Sequence, residues 1–258
     1  MQQKQRAFFQ LARAVPTTTW SAVDPMTLRP GFKSVVFLLV GLWIFGMGHA
    51  SLIVSGLGVS PWTTLAQGVA AQTGWSIGAC VLVVGILVLM IWIPLRERPG
   101  MGTIANIIVV AIAIDVTIPM LPQPTGFAMA MAQSLLGIFL LACGSALYLT
   151  ANLGPGPRDG LMTGIQKRTN YPIGWVRTGL EITVLIVGWR LGGVVGIGTL
   201  MMAFGVGPLV AVCLSVVDHF GGVAAGRSNT GRCNQDCRSK QDGSTHRTRL
   251  IRKIPLAL

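Results

Sequence analysis

The sequence predicts an all-α membrane protein whose six transmembrane helices form two inverted three-helix repeats, each with a short re-entrant or interfacial helix. Three observations lead to this prediction. The chain of 258 residues is 52% hydrophobic and only 11% charged, whereas a soluble domain has roughly 25% charged residues. Six stretches are apolar enough to cross a bilayer, and the sequence overlays on itself when it is shifted by 96 residues.

The six apolar stretches can be placed along the chain. A helix needs about 20 mostly apolar residues to cross a bilayer. The windows that satisfy this requirement are 34–56, 76–95, 102–121, 128–151, 173–191 and 196–217. The fifth window is the most polar, because it contains Arg177, Glu181 and Arg190. The first window begins too late and runs too long for a cleavable signal peptide, so we expect it to remain as a span.

The distribution of charge predicts the orientation of these spans. The net charge is +12, and the basic residues cluster at both ends of the chain and in alternate connections. The connections 96–100 and 152–172 are basic, whereas 57–75 and 121–126 carry no charge. Because basic connections stay in the cytoplasm, we expect a multi-pass protein of the bacterial inner membrane with both termini cytoplasmic. This distribution favours the lipid bilayer, and not nucleic acid, as the partner of the positive charge.

The chain therefore divides into four segments. Residues 1–32 form a basic cytoplasmic segment, 33–121 the first membrane repeat and 128–217 the second. Residues 219–258 form a polar, basic tail without helical periodicity, which we expect to be disordered and cytoplasmic. Such a tail can lie on anionic lipid, at about 1 kcal/mol for each basic residue near the surface.

The cysteines and histidines predict neither a disulfide framework nor a metal centre. Three of the five cysteines lie inside apolar windows, where a free thiol behaves as a small hydrophobe. The other two, Cys233 and Cys237, form a C-x3-C pair in the tail, and a zinc site would need two more ligands there. Only His246 lies nearby in the sequence. We therefore expect no metal and no cofactor.

The internal repeat is the most informative pattern. With a shift of 96 residues, LGVSPWTTLAQG (57–68) aligns with LGPGPRDGLMTG (153–164) without a gap. From 57 to 116, seventeen of sixty aligned positions are identical. Each repeat contains three spans, and because three is odd the second copy enters the membrane upside down. Inverted repeats of this kind occur in many secondary transporters.

Each repeat also contains a short linking element. Both elements start with Leu-Gly, have a proline at a plausible first helical position, where proline is favoured, and continue for about twelve residues, or about 18 Å of helix. This length is too short to cross a bilayer, so each element is either a re-entrant half-helix or an interfacial one. If both elements crossed fully, the basic connection 96–100 would lie outside, so six spans are preferred over eight.

These motifs resemble a known family. The stretches LGVSPWTTLAQGVAAQTG, GMGTIANIIVVAIAID, LGPGPRDGLMTGIQKRTN and VRTGLEITVLIVGWRLGGVVGIGT are similar to the YczE/YyaS/YitT group of bacterial integral membrane proteins, over about residues 34–218. The resemblance implies a bacterial inner-membrane protein of about six spans. It implies no ligand and no activity.

The first candidate site lies at the start of the second linking element. Arg158 and Asp159 follow Gly154 and Gly156 there, where free backbone N–H groups and the helix dipole favour an anion. The functional hypothesis is that this element, glycines included, binds a carboxylate or phosphate through Arg158. Asp159 would then orient the arginine or cap the helix. The alternative is a cytoplasmic loop whose arginine contacts lipid phosphates.

Two further pairs of ionisable residues lie inside the predicted spans, where charge is costly and commonly functional. Arg177 and Glu181 are four residues apart on one face of the fifth span. They form an internal ion pair, or they reach the Arg158 element and contact a substrate. In the first repeat, His49 and Asp115 fall at similar predicted depths, where a His–Asp pair could relay protons. The structural alternative is that His49 only packs in a glycine-rich helix.

These residues together predict secondary transport of a small solute, with anions as the favoured class. The alternative is a non-transporting membrane scaffold or regulatory partner of another protein. A third and weaker hypothesis is a lipid-acting enzyme that uses Asp159, Glu181 or His49. The sequence contains no Walker A loop, HExxH or GxSxG motif, so we expect no enzyme. A homo-oligomer is compatible with the sequence.

Overall fold

The computed structural model describes residues 18–22, 25–27 and 30–221. The described part is all-helical, and its eight α-helices are α1 (Phe32–Ser55), α2 (Pro61–Thr73), α3 (Ile77–Leu95), α4 (Met101–Thr117), α5 (Phe127–Thr150), α6 (Pro157–Thr169), α7 (Ile173–Arg190) and α8 (Ile197–Gly221). A short 3₁₀ turn, Ile118–Met120, extends α4. The predictions for most of the N-terminal segment and for the tail beyond Gly221, with Cys233 and Cys237, lie outside the described residues.

Five of the described helices are long and apolar enough to cross a membrane. They are α1, α3, α4 with its 3₁₀ turn, α5 and α8. The prediction of an all-α membrane protein is therefore confirmed. Helix α7 is not among the five, because three of its 18 residues are charged, namely Arg177, Glu181 and Arg190. The sixth span stays a prediction.

The helix boundaries repeat along the chain at the same interval as the sequence. The short helices α2 and α6 begin at Pro61 and Pro157 and end at Thr73 and Thr169, so both ends are 96 residues apart. The first residues of α3 and α7, and of α4 and α8, are also separated by 96. Both short helices start with the proline that suits a first helical position, and both end before a residue in the left-handed conformation. Matched positions therefore fold alike locally.

Helices α1 and α5 pack on each other more extensively than any other pair of described helices. Their contacts run through glycines. A Cβ placed on Gly144 would lie 2.7 Å from the carbonyl oxygen of Gly41, and one placed on Gly48 would lie 2.8 Å from that of Gly137. Because the contact positions rise along α1 while they fall along α5, the two helices are antiparallel. The shift of 96 pairs Gly41 with Gly137 and Gly48 with Gly144, so the repeat maps one of these contacts onto the other.

Two backbone hydrogen bonds extend the same exchange beyond α1 and α5. The amide of Gly102, in α4, donates to the carbonyl of Leu153 at 2.7 Å. The amide of Gly198, in α8, donates to the carbonyl of Leu57 at 2.8 Å. The shift of 96 maps one bond onto the other, so the start of each last helix is attached to the loop that precedes the other repeat's short helix.

The described part of the N-terminal segment connects the ends of three helices. The amide of Ala22 donates to the carbonyl of Ala151 at 3.0 Å, just after α5, and the amide of Thr19 donates to that of Gly221 at 3.0 Å, where α8 ends. The Trp20 ring stacks on Phe37, near the start of α1, with 4.3 Å between centroids. The start of α1 and the ends of α5 and α8 therefore lie on one side of the helix bundle.

The glycine contact between α1 and α5 predicts a stability effect. In Gly144→Ala, the new methyl group would lie 2.5 Å from the Phe45 amide nitrogen, so the two backbones must separate. We expect a loss of about 1–3 kcal/mol, which is typical of overpacking. The measurement is the unfolding temperature of the detergent-purified protein.

Gly179→Ala is the matched control, because a methyl group added to Gly179 in α7 would have no other atom within 4 Å. It also replaces glycine within a helix, but it should leave the unfolding temperature unchanged or slightly raised. Equal unfolding temperatures for the two variants would contradict the close approach of α1 and α5.

Candidate functional site

The candidate site lies where the two short helices approach each other. The Cζ atom of Arg158, the second residue of α6, is 5.4 Å from the centre of the Trp62 ring, the second residue of α2. This distance is within the range of a cation–π interaction. Residues 62 and 158 are equivalent positions of the repeat. The starts of α2 and α6 are therefore close in space, although 96 residues separate them.

His49 of α1 lies beside the start of α2. Its side chain is buried, and Nδ1 lies 3.1 Å from Oγ1 of Thr63. The Thr63 hydroxyl in turn lies 2.7 Å from that of Ser60, which caps α2 by accepting a hydrogen bond from the Thr63 amide. Nε2 of His49 is buried without a hydrogen-bond partner among the described residues, and so is Nε1 of Trp62. Two buried nitrogens in this region thus remain unsatisfied.

Arg158 and Asp159 are adjacent in the sequence but do not bond to each other in the described structure. The guanidinium is half-buried and contacts the Trp62 ring. The Arg158 guanidinium and the Asp159 carboxylate lie within electrostatic range of each other. We refer to the region that Arg158, Asp159 and Trp62 border at the starts of α2 and α6 as the cleft.

The second predicted pair is formed as an ion pair. Nε of Arg177 lies 3.2 Å from Oε1 of Glu181, one turn along α7. The two pairs also lie within electrostatic range of each other, because Glu181 and Arg177 both interact with the charges of α6. The structure therefore brings the four predicted charges of α6 and α7 into one region.

The two predicted glycines have different surroundings. Gly156 caps α6, and a Cβ at this position would lie 3.0 Å from Oδ2 of Asp159 and 3.8 Å from the Tyr148 hydroxyl. Gly154 has a φ of 115° and packs against the backbone of Gly100 at the start of α4. Gly156 thus borders the site, whereas Gly154 permits a tight turn and a close backbone approach.

The structure does not bring His49 and Asp115 together. The Asp115 carboxylate accepts hydrogen bonds from the Ser76 hydroxyl at 2.6 Å and from the Gly78 amide at 2.7 Å. These partners are the cap and second residue of α3, so Asp115 satisfies the free donors of a helix start. His49 is bonded to Thr63 instead. The predicted pairing is therefore not formed, because Asp115 caps α3 whereas His49 bonds to the Thr63 hydroxyl of α2.

Sequence reasoning missed Trp62, Thr63 and Tyr148 as neighbours of the site. The repeat contained a signal for the first two, because Trp62 and Thr63 are equivalent to Arg158 and Asp159. Tyr148 had no comparable signal, since only the packing of α5 brings it close to α6. No group of three His, Cys, Asp or Glu side chains within the described residues could hold a metal ion.

Apolar helices, close glycine contacts and charges gathered around short helices define an α-helical integral membrane protein. A model of the family of unknown function DUF6198 matches residues 32–215, and the chain belongs to this family. An uncharacterized protein of Haemophilus influenzae is 43% identical over 205 residues, covering 80% of this chain and 93% of that relative.

Two relatives from Bacillus subtilis connect the chain to the family that its motifs resemble. The uncharacterized membrane protein YczE is 32% identical over 170 residues, or 65% of this chain and 79% of YczE. The uncharacterized protein YyaS is 26% identical over 187 residues, or 70% of this chain and 92% of YyaS. The predicted resemblance is thus confirmed, together with membrane localisation. No solved structure matches the chain.

The ion pair of α7 predicts a rescue between two variants. Glu181→Gln would leave the Arg177 charge unpaired in a predicted span, at a cost of about 2.5–3.5 kcal/mol on the insertion scale. We expect a severalfold loss of protein from the membrane fraction, measured by immunoblot. Adding Arg177→Gln removes the unpaired charge and should restore most of the abundance. If the double variant is no more abundant than Glu181→Gln alone, the pair is not what stabilises α7.

Proposed function

We propose that the protein is a secondary transporter of the bacterial inner membrane that moves a small anionic solute through the interface between two inverted repeats. The observation that carries the proposal is the approach of α2 and α6 at their first turns, where Arg158 contacts Trp62. Transporters of this architecture bind substrate at half-helices that meet near the middle of the membrane. The proposal assigns no covalent chemistry to the site.

The packing of the helices supports the inverted relation of the repeats. The first helices of the repeats, α1 and α5, are antiparallel and exchange glycine contacts under the shift of 96. The bonds from Gly102 to Leu153 and from Gly198 to Leu57 follow the same exchange. A rotation by half a turn about an axis in the membrane plane produces both patterns. We therefore assign α1, α3 and α4 to one repeat and α5, α7 and α8 to its inverted copy.

Contacts at the far ends of the short helices support a re-entrant arrangement. Near its end, α2 bonds to the link before α8, where Gln72 Nε2 donates to the Leu191 carbonyl at 3.1 Å. The end of α6 bonds to the basic loop before α4, where Lys167 Nζ lies 2.6 Å from Glu97 Oε1. These connections lie on opposite sides of the proposed membrane. If both short helices lay at the membrane surfaces, about 30 Å of hydrocarbon would separate them. The Cζ atom of Arg158 is only 5.4 Å from the centre of the Trp62 ring.

The helix ends support six spans with both termini cytoplasmic. The N-terminal segment bonds to Ala151 and Gly221, so the end of α8 lies on the side where the chain enters α1. A chain that starts and ends on the same side crosses the membrane an even number of times. Five helices are long and apolar enough to cross, so α7 supplies the sixth crossing. Its ion pair reduces the cost of placing charge in a span. Basic residues at both ends of the chain favour the cytoplasm for that side.

The start of α6 supports an anionic solute. No side chain caps this helix by a hydrogen bond, so its free N–H groups and its dipole favour an anion, as does the nearby Arg158 guanidinium. Guanidinium groups bind carboxylate and phosphate in a bidentate geometry.

A scaffold function is the second candidate, and the exposure of α7 favours it. Gly188 is the one buried residue of this helix. A helix with so little burial that carries an ion pair has a face available for another protein. The two candidates differ in one property: a transporter exposes its site to each side of the membrane in turn, whereas a scaffold does not.

Accessibility of the cleft tests transport against scaffolding. We would place a single cysteine at Asp159, which is exposed in α6, in a chain otherwise free of cysteine. Intact cells and inside-out vesicles are then treated with a membrane-impermeant thiol reagent. Transport predicts that the reagent labels Asp159→Cys both in intact cells and in inside-out vesicles. Labelling from one side only, at a normal amount of protein, would remove the transport proposal and favour the scaffold.

The inverted topology has a separate test at the far ends of the short helices. Thr73→Cys and Thr169→Cys lie at equivalent exposed positions of α2 and α6. On intact cells an impermeant reagent should label Thr73→Cys and spare Thr169→Cys, and inside-out vesicles should give the reverse. The two variants are matched controls for each other. If both are labelled from the same side, the repeats are not inverted.

A further inference from the structure

Three side chains around the start of the two short helices, Trp62, His49 and Arg158, have nitrogen atoms without a hydrogen-bond partner in the described structure. The indole N–H of Trp62 is unpartnered, although its side chain is only 6% exposed. Nε2 of His49 is unpartnered in a side chain that is 1% exposed. The Arg158 guanidinium contacts the Trp62 ring and lies within electrostatic range of His49. These groups come from α1, α2 and α6.

The hydrogen bonds of His49 favour a donor role for Nε2. Ser60 Oγ already accepts from the Thr63 amide. When the Ser60 hydroxyl donates to Thr63 and the Thr63 hydroxyl donates to Nδ1 of His49, the proton of the neutral imidazole lies on Nε2. In this donor order, the chain of hydroxyl groups at the cap of α2 orients the imidazole with its N–H at the unpartnered position.

We infer that His49, Trp62 and Arg158 form a binding site for the oxyanion group of a small, singly charged solute, with a carboxylate as the prototype. The inference rests on the proposed function, for which it names the chemical class of the solute. It assigns His49 to binding through Nε2, and it adds Trp62 as a ligand-binding residue.

The chemistry of the three groups selects an acceptor with several lone pairs. An indole N–H is a donor only, and a guanidinium has five donors and no acceptor. A buried donor without a partner costs about as much as a lost hydrogen bond, and a carboxylate would satisfy all three groups at once. A cationic solute would be repelled by the Arg158 charge and would find no acceptor among these three groups.

Asp159 limits the charge of the solute. Its carboxylate lies in the same cleft and interacts with Arg158, so a second negative charge on the solute would be repelled. Arg158 is half-buried and Asp159 is exposed, whereas His49 and Trp62 are buried. The cleft therefore opens on the side of α6, and the neutral donors form its closed end.

The test measures binding without transport. The full-length chain, purified in neutral detergent, is heated with sodium acetate or with sodium chloride at equal ionic strength. A ligand that binds only the folded state raises the unfolding temperature in a saturable way. We expect acetate to raise it by several degrees and chloride to have little effect. Equal effects of the two salts would overturn the inference.

Conservative variants identify the donors. Trp62→Phe keeps the ring against Arg158 but removes the N–H. His49→Asn keeps a polar partner for Thr63 but loses the group at Nε2, whereas His49→Gln retains a donor near Nε2. We expect at least tenfold weaker acetate binding in Trp62→Phe, His49→Asn and Arg158→Lys, and a smaller loss in His49→Gln. Asp159→Asn should bind acetate more tightly, because it removes a repulsion.

Arg98→Lys is the control, since Arg98 is exposed in the loop before α4 and outside the cleft. It should bind acetate like the wild type, and each variant is compared at its own unfolding temperature without ligand. Unchanged acetate binding in Trp62→Phe and His49→Asn would overturn the assignment of these donors. Stabilisation by phosphatidylglycerol in mixed micelles, without an effect of acetate, would overturn the small solute and identify a lipid headgroup.

Binding and transport can fail separately in these experiments. The labelling of Asp159→Cys from two sides requires no anion, and acetate binding requires no alternation between sides. Specific acetate binding with one-sided labelling would keep the anion site and remove transport. Labelling from both sides with no specific effect of acetate would keep transport and remove the anion site.

Discussion

The contact between α1 and α5 is the interaction on which the rest of the fold depends. In lipid, apolar side chains gain little by leaving their surroundings, so helices associate through close van der Waals packing of small residues. Gly41, Gly48, Gly137 and Gly144 provide such packing, because each lets the backbone of the other helix approach within the space of a side chain. The two pairs are reciprocal under the shift of 96. The helices that follow are then arranged around this antiparallel pair.

This arrangement explains why a polar site can exist among apolar helices. Helix α4 packs beside α1, and α8 beside α5, while the loops that precede the short helices bond to the starts of α8 and α4. The short helices are thereby directed toward each other. Their first turns bring free N–H groups, Arg158 and the Trp62 indole together. Burying such donors without an acceptor is unfavourable, and this cost is the physical basis of the ligand site that we propose.

The repeat made much of the fold predictable, because helix starts depend on local residues. Proline at the first position, glycine or asparagine after the last turn and the ion pair of Arg177 with Glu181 are all encoded within a few residues. The partners of His49 and Asp115 were not predictable in this way. Depth along a helix does not determine its rotation, and each side chain bonds to the first turn of a neighbouring helix. The contribution of Tyr148 likewise depends on how α5 packs.

The pseudo-symmetry is broken where the chemistry requires it. Trp62 and Arg158 occupy equivalent positions, yet one is a neutral donor and the other a cation. The difference matches the membrane: α6 ends in Lys167 and Arg168, and such basic residues oppose translocation, whereas α2 carries no charge. In the proposed topology α6 is the cytoplasmic short helix, so it supplies the cation, and α2 on the opposite side contributes neutral donors. The pseudo-symmetric helices thus place a charged group at the more exposed end of the proposed site and neutral donors at its buried end.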